Sequence, residues 1–238
     1  MTYLRFHLLF VVPWVALGLV TQSSRWMANG HWQATLITLG IVYGFTVPWD
    51  NWAVKRGIWG FRPGTYTFRI FELPVEECLF FGLQSLMAIG VTLALEPCIP
   101  DLAWQPARTP LWVCGLITTI WVVVGWRVWR WPGRVGRPAY AFHIGFWMVP
   151  IVLLQLALGP DLLLPKLPLI TGVMVLVGTY LTLADVMAVR WKLWFFDERQ
   201  ILGPKWFRIL PWEEAVFFYL TTLLVVQSLL LWRWFWRS

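Results

Sequence analysis

LPVEECLFF occupies Leu73–Phe81, and LPWEEAVFF occupies Leu210–Phe218. Both copies open an apolar stretch with a proline and two adjacent glutamates. One such copy could be a helix start in which a glutamate caps the first turn. Two copies, one in each half of the chain, indicate an internal repeat whose acidic residues have a shared role.

The composition is typical of an integral membrane protein. Of 238 residues, 59% are hydrophobic, 13% are charged and 20 are tryptophan, which is too little charge to cover a soluble surface. A membrane-spanning helix needs about 20 mostly apolar residues. Seven stretches qualify: 6–21, 32–49, 75–95, 111–126, 139–158, 167–184 and 212–232. We therefore predict an all-α membrane protein with seven transmembrane helices.

The repeat extends beyond the two glutamate motifs. FHLLFVVP at Phe6–Pro13 resembles FHIGFWMVP at Phe142–Pro150, and Asp50 aligns with Asp185. The first match also favours a transmembrane helix at the N-terminus over a cleaved signal peptide, because a duplicated segment belongs to the fold. We predict two three-helix repeats, 1–110 and 139–238, joined by a linker helix and basic loop at 111–138.

The helix count predicts the topology. Equivalent helices lie four spans apart, so both repeats enter the membrane in the same direction. The loops after the second and sixth spans then share one face, which carries 14 of the 19 basic residues. The positive-inside rule makes this face cytoplasmic, with the N-terminus inside and the C-terminus on the opposite side. The net charge of +7 therefore needs no nucleic acid to explain it.

Six acidic residues fall near this cytoplasmic face and are the predicted catalytic residues. They are Asp50, Glu76, Glu77, Asp185, Glu213 and Glu214. An ionised carboxylate in an apolar environment costs several kcal/mol, which favours a protonated group that can donate its proton. Two carboxyl groups in different environments can provide an acid and a base in one site. Of each glutamate pair, we favour the first residue, Glu76 or Glu213, for this chemistry.

Aromatic residues adjoin these acids in the sequence and are the predicted substrate contacts. They are Trp49, Trp52, Phe80, Phe81, Trp212, Phe217 and Phe218. An aromatic face attracts a cation by about 0.5–2 kcal/mol, so acids and rings together suit a carbocation formed by protonating an alkene. The chain has no nucleotide-binding glycine motif and no CxxC pair. We predict neither a cofactor nor a metal.

PVEECLFF and PWEEAVFF, Asp50 and Asp185 ahead of them, and the three-plus-one-plus-three layout resemble the small membrane lycopene cyclases of bacteria, archaea and fungi, in their fused form. The resemblance implies that acyclic ends of lycopene or a related carotenoid, a lipophilic polyene, are cyclised without net redox change and without a flavin. Contact with other carotenoid enzymes is a further expectation. The ring type, β, ε or γ, stays open because it depends on which proton the base removes.

A small-solute transporter is the main alternative, because transporters can share the same helix repeat. Its polar residues would line a path through the membrane midplane, whereas these acids lie near one face. A retinal protein would need a lysine in the last span, which has none. A membrane prenyltransferase would need aspartate-rich metal sites, and the aspartates here are widely spaced.

Overall fold

The computed structural model describes residues 1–28, 30–105, 111–129 and 136–236. Seven long helices lie in these ranges: α1 (Tyr3–Thr21), α2 (His31–Lys55), α3 (Val75–Leu95), α4 (Leu111–Trp129), α5 (Ala139–Leu158), α6 (Leu167–Arg190) and α7 (Trp212–Phe235). Short helical turns at Ser23–Trp26 and Pro160–Leu163 precede α2 and α6. Part of the basic loop predicted within 111–138 lies outside the described residues.

Five helices, α1, α3, α5, α6 and α7, are long and apolar enough to cross a membrane. The prediction of a mainly helical membrane protein is therefore confirmed at this level. α2 is less apolar because polar residues such as Gln33, Thr35 and Thr38 lie within it. In α4 the apolar run is shorter, Trp112–Arg127.

Two helices continue beyond their predicted ends. α2 extends from the predicted end at 49 to Lys55, and α6 extends from 184 to Arg190. The hydropathy of each stretch falls at its aspartate, but the backbone stays helical. Asp50 and Asp185 consequently lie inside helices, with only 2% and 1% of their surfaces exposed.

Short strands add to the predicted all-α fold, which is a correction to it. β1 (Trp59–Phe61) pairs antiparallel with β4 (Trp194–Phe196), and this pair joins the loop after α2 to the loop after α6. Trp59 lies opposite Phe196 and Phe61 opposite Trp194, so the pairing is symmetric between the two halves. Because a loop over a buried site must satisfy its own backbone groups, these loops form hydrogen-bonded strands.

A small hairpin precedes each glutamate motif. β2 (Arg69–Ile70) pairs with β3 (Leu73–Pro74), and β5 (Lys205–Trp206) pairs with β6 (Leu210–Pro211). The tripeptide FRI precedes both motifs, at Phe68–Ile70 and at Phe207–Ile209. Its last two residues are in a strand of the first hairpin, whereas the second copy is in the turn of the second hairpin. The first copy is followed by two residues that the second copy lacks, Phe71 and Glu72, and these form the turn of the first hairpin. The two FRI segments are therefore not structurally equivalent.

The motif helices α3 and α7 form the centre of the molecule and pack against each other. α3 also contacts α1, α2 and α6, while α7 contacts α2, α5 and α6. The buried share of the most apolar stretch differs between the helices. It is 61% in α3 and 67% in α7, but only 22% in α1 and 17% in α5. The glutamate pairs at the starts of α3 and α7 are thereby placed under the β1–β4 loops.

Candidate active site

A cavity of about 30 Å³ lies under the loops, at the N-terminal ends of α3 and α7. Its walls come from both halves of the chain. The lining residues are Tyr3, Trp49, Asp50, Trp59, Phe61, Glu77, Phe80, Phe81, Tyr140, Trp194, Phe196, Glu214, Phe217 and Phe218. We call this space the acid cavity.

Two tyrosine–glutamate pairs face the acid cavity, one from each half. The Tyr3 hydroxyl donates a hydrogen bond to Glu77, and the Tyr140 hydroxyl donates one to Glu214. The partners are 74 residues apart in both pairs. The tyrosine backbones are also held alike, because Tyr3 N donates to the Thr65 carbonyl and Tyr140 N to the Gln200 carbonyl, at 2.8 and 2.9 Å. We call these pairs the Tyr–Glu dyads.

The first glutamate of each pair binds a loop instead of lining the acid cavity. Glu76 Oε1 accepts hydrogen bonds from the Thr67 backbone N–H at 2.8 Å and from its hydroxyl at 2.6 Å. Glu213 Oε1 accepts one from the Leu202 backbone N–H. In both residues the Oε2 atom is buried without a hydrogen-bond partner in the described part of the chain. The sequence interpretation favoured these first glutamates, whereas the second glutamates line the cavity.

The two aspartates differ in their relation to the acid cavity. Asp50 lines it, and its Oδ1 accepts a hydrogen bond of 2.9 Å from the Trp59 indole. Asp185 does not line the cavity, but it is buried close enough to Glu214 to interact with it electrostatically. Both Asp185 carboxyl oxygens are buried, and the equivalent indole, Trp194, is the side-chain hydrogen-bond neighbour of Asp185.

Five of the seven predicted aromatic contacts line the acid cavity: Trp49, Phe80, Phe81, Phe217 and Phe218. Trp49 stacks on Phe217 with 5.7 Å between ring centroids, and Phe80 meets Phe218 edge to face at 6.1 Å. These contacts join the rings of α2, α3 and α7 into one wall.

The other two predicted aromatic contacts lie outside the cavity. Trp52 packs against His143, with 4.4 Å between ring centroids. Trp212 is the first residue of α7 and is 52% exposed, next to Trp206.

Sequence reasoning missed the two tyrosines and the strand aromatics of the acid cavity. Tyr3 and Tyr140 stand ten residues before Pro13 and Pro150, so their equivalence could have been found from the repeat. The Phe-His matches obscured it because they are shifted by one residue relative to the prolines. The strand residues Phe61 and Phe196 gave no signal, because their position depends on the pairing of two distant loops.

The geometry supports proton transfer to and from an apolar molecule. Asp50, Glu77 and Glu214 face the cavity, and none of its lining residues is basic. Three ionised carboxylates in one buried space would repel each other strongly, so the site retains at least one proton. The remaining walls are mostly aromatic and can face a cation.

Comparison with known proteins gives a consistent group of relatives. The chain is 30% identical over 223 residues to the lycopene beta-cyclase of Halobacterium salinarum, covering 93% of this chain and 91% of the relative. It is 27% identical over 249 residues to the bifunctional lycopene cyclase/phytoene synthase of Phaffia rhodozyma, and 29% over 244 residues to that of Sporisorium reilianum. Each match covers 96% of this chain and about a third of the fungal protein, 36% and 34%. No protein-family model and no solved structure matches.

Proposed function

The chain belongs to the lycopene cyclase family, and from this premise we propose that it closes rings at the acyclic ends of lycopene by transferring protons within the acid cavity. The protein is a carotenoid cyclase of the membrane-associated type. The transporter alternative receives no support from the relatives. The single observation that best supports the proposed chemistry is the pair of Tyr–Glu dyads facing one aromatic cavity from opposite halves.

The reaction needs one acid and one base. A carboxylic acid gives its proton to the terminal double bond of the polyene, which leaves a tertiary carbocation. The next double bond, which is the first of the conjugated chain, attacks this cation, and the new C–C bond closes a six-membered ring while the positive charge moves to a ring carbon. A carboxylate removes a proton from the adjacent carbon and restores a double bond. One proton enters and one leaves, so no oxidant or reductant is consumed.

Glu77 and Glu214 are the acid and base of this proposal. Both line the acid cavity, and each carries a tyrosine hydrogen bond that fixes its carboxyl group. Asp50 lies in the same cavity, and exchange of the carboxyl protons with solvent restores the starting state after each ring closure. General acid–base groups contribute about 10²–10⁴-fold to a rate.

The remaining predicted residues have supporting roles. Glu76 and Glu213 accept hydrogen bonds from the loops that cover the cavity. Asp185 acts on Glu214 through its electrostatic interaction with that carboxyl group. Trp49, Phe80, Phe81, Phe217 and Phe218 face the cationic intermediate. Each well-placed ring contributes about 0.5–2 kcal/mol to its stabilisation.

In the membrane, the seven long helices would cross the bilayer as two parallel three-helix repeats. The repeats are 1–110 and 139–238, with 111–138 as the linker. The symmetric β1–β4 pairing and the equal spacing of the two dyads support this arrangement. The N-terminus and the covering loops would be cytoplasmic, and the C-terminus would be on the opposite side, by the positive-inside rule.

The archaeal relative's name favours a β ring as the product of this chain. In the fungal relatives, lycopene cyclase and phytoene synthase are named together for one chain. Contact between this protein and other carotenoid enzymes is accordingly part of the proposal.

The test is to supply lycopene to the purified protein in lipid vesicles prepared in D₂O. Chromatography with mass spectrometry should show a cyclised product with one deuterium for each ring formed, because carboxyl protons exchange with solvent. Unchanged lycopene would contradict the function. Rings without deuterium would contradict the proton-transfer mechanism.

A further inference from the structure

A second cavity, of about 60 Å³, lies next to the acid cavity on the side away from the covering loops. It begins about one helical turn further along three helices: Thr46 precedes Asp50 by four residues, and Ser85 and Thr221 follow Phe81 and Phe217 by four. α5 supplies its fourth wall. The lining residues are Thr38, Ile41, Val42, Phe45, Thr46, Gln84, Ser85, Ile151, Gln155, Thr221, Leu224, Val225 and Ser228. We call this space the stem chamber.

The stem chamber breaks the symmetry of the two repeats. The offset that relates Leu73 to Leu210 also relates Gly18 to Gln155. Gly18 closes the α1–α3 interface, because a Cβ atom on it would lie 3.4 Å from the Gly90 Cα atom. At the equivalent place on α5, the longer Gln155 lines the chamber, and its Nε2 donates to the Leu224 carbonyl at 3.3 Å. The closed glycine contact of the first repeat is thus replaced by a chamber wall in the second.

Phe45 of the stem chamber belongs to a cluster of three aromatic rings. Phe45 lines the chamber, and its ring lies 5.4 Å from that of Trp147 and 6.0 Å from that of Trp121. Trp121 belongs to the linker helix α4 and is fixed by a 3.1 Å hydrogen bond to the Phe146 carbonyl. Ile41, at the edge of the chamber, is 45% exposed. The linker helix α4 therefore contacts both α2 and α5 beside the chamber.

We propose that the stem chamber holds the conjugated stem of the polyene behind the reacting end, and that the Phe45–Trp121–Trp147 cluster is its lateral entrance from the bilayer. This inference rests on the proposed function. A polyene is far longer than the acid cavity, so its stem needs an adjoining apolar space. The chamber has the mainly apolar walls and the position between helices that are typical of a small-molecule site.

The polar atoms of the chamber are compatible with this occupant. Thr38 and Ser228 hydrogen-bond to each other at 3.2 Å, and the Ser85 and Thr221 hydroxyls donate to carbonyls of their own helices. The amide oxygens of Gln84 and Gln155 have no hydrogen-bond partner in the described part of the chain. They can accept weak C–H···O contacts from the edge of a conjugated chain, each worth about 0.5–1 kcal/mol.

The test fills the end of the chamber that is farthest from the acids. Ser228→Phe places a large ring there, two turns beyond Thr221 on α7, and Val91→Phe places the same ring at the equivalent position of the first repeat. Two quantities are measured with purified protein in vesicles: the rate of ring formation, and the lycopene retained per protein by visible absorbance in a Glu77→Gln background. Thermal unfolding of each variant is recorded alongside.

We expect Ser228→Phe to lose about 10-fold or more in ring formation, because a displaced stem misplaces the reacting end, and to retain less lycopene. Val91→Phe should stay near the unsubstituted protein in both. If Ser228→Phe is poorly folded, Val225→Phe fills the same chamber and should give the same result. A folded Ser228→Phe or Val225→Phe protein that forms rings and retains lycopene like the unsubstituted protein would contradict the proposal that the chamber holds the stem. If the proposed function is wrong, the unsubstituted protein itself will leave lycopene unchanged. The amount of lycopene retained per protein still tests the chamber in that case.

Discussion

Tyr140 donates a hydrogen bond to the Glu214 carboxyl group, as Tyr3 does to Glu77 from the other half of the chain. All four side chains line the acid cavity, and both tyrosines are 1% exposed. Because each carboxyl group is fixed by a side chain from another helix, its direction toward the cavity is set before a substrate binds. This preorganisation is what proton transfer at a defined carbon atom requires.

Replacing a dyad tyrosine should slow ring closure without unfolding the protein. Tyr140→Phe keeps the ring but removes the donor, and a hydrogen bond to a charged group contributes about 1.5–3 kcal/mol. We expect ring formation to fall about 10-fold or more, measured as the initial rate in vesicles. Tyr219→Phe is the matched control, since Tyr219 lies on α7 outside the acid cavity and contacts Thr179. Equal rates for the two variants would show that the Tyr140 hydroxyl does not contribute to ring closure.

The first glutamates should govern stability more than chemistry. Glu213→Ala leaves the Leu202 N–H without its acceptor, and Glu76→Ala does the same to Thr67. An unsatisfied buried donor costs about 1–3 kcal/mol, which corresponds to roughly 2–4 °C per kcal/mol in melting temperature. We expect lower melting temperatures for both, and near-normal ring formation for Glu76→Gln and Glu213→Gln, whose amide oxygen can still accept. Inactive glutamine variants with normal melting temperatures would instead assign the proton chemistry to the first glutamates.

Much of the fold could be predicted from the sequence because a bilayer restricts the choices. Long apolar runs predicted the helices, and the repeated motif predicted that the glutamates of α3 and α7 lie near the same face. The choice between adjacent glutamates could not be predicted. Neighbouring helical positions point about 100° apart, and the loop backbone at Thr67 and Leu202 captures the first residue of each pair. That loop position depends on the β1–β4 pairing of residues far apart in the chain.

An ion network at the opposite end of the helices should make stability depend on pH. Arg233 Nη1 donates to Glu96 Oε2 at 2.8 Å, and Lys166 lies 3.6 Å from Glu96 Oε1. Burial raises the pKa of Glu96, but the hydrogen bond and charge of Arg233 and the charge of Lys166 outweigh it and hold the pKa below its ordinary value. The folded state therefore favours the ionised form.

This stabilisation is fully present above the ordinary glutamate pKa of about 4.3 and is lost as the pH falls through the lower folded value. The melting temperature in detergent should decrease in this range, and Glu96→Gln should weaken that decrease. An identical pH profile for Glu96→Gln would show that other groups dominate acid unfolding. Asp161→Asn, in the same region of the structure, is the charge-matched control.

Cys98 offers a test of the proposed orientation. It follows α3 and is exposed, whereas Cys78 and Cys114 are partly buried in helices. If the covering loops are cytoplasmic, Cys98 lies on the outer side. A membrane-impermeant maleimide should therefore label the protein in intact cells, and Cys98→Ser should abolish that labelling. If the maleimide labels the protein only after the cells are broken, Cys98 lies on the cytoplasmic side and the proposed topology is contradicted.

The central claim is that the second glutamate of each motif performs the proton transfer. Its most direct test is the initial rate of ring formation by purified Glu77→Gln in lycopene-loaded vesicles, compared with Glu76→Gln on the same helix. Glutamine keeps the size of the side chain but cannot act as the acid or base. We predict a loss of about 100-fold or more for Glu77→Gln, with normal folding, and a near-normal rate for Glu76→Gln. A Glu77→Gln protein that forms rings at the rate of the unsubstituted protein would contradict the account.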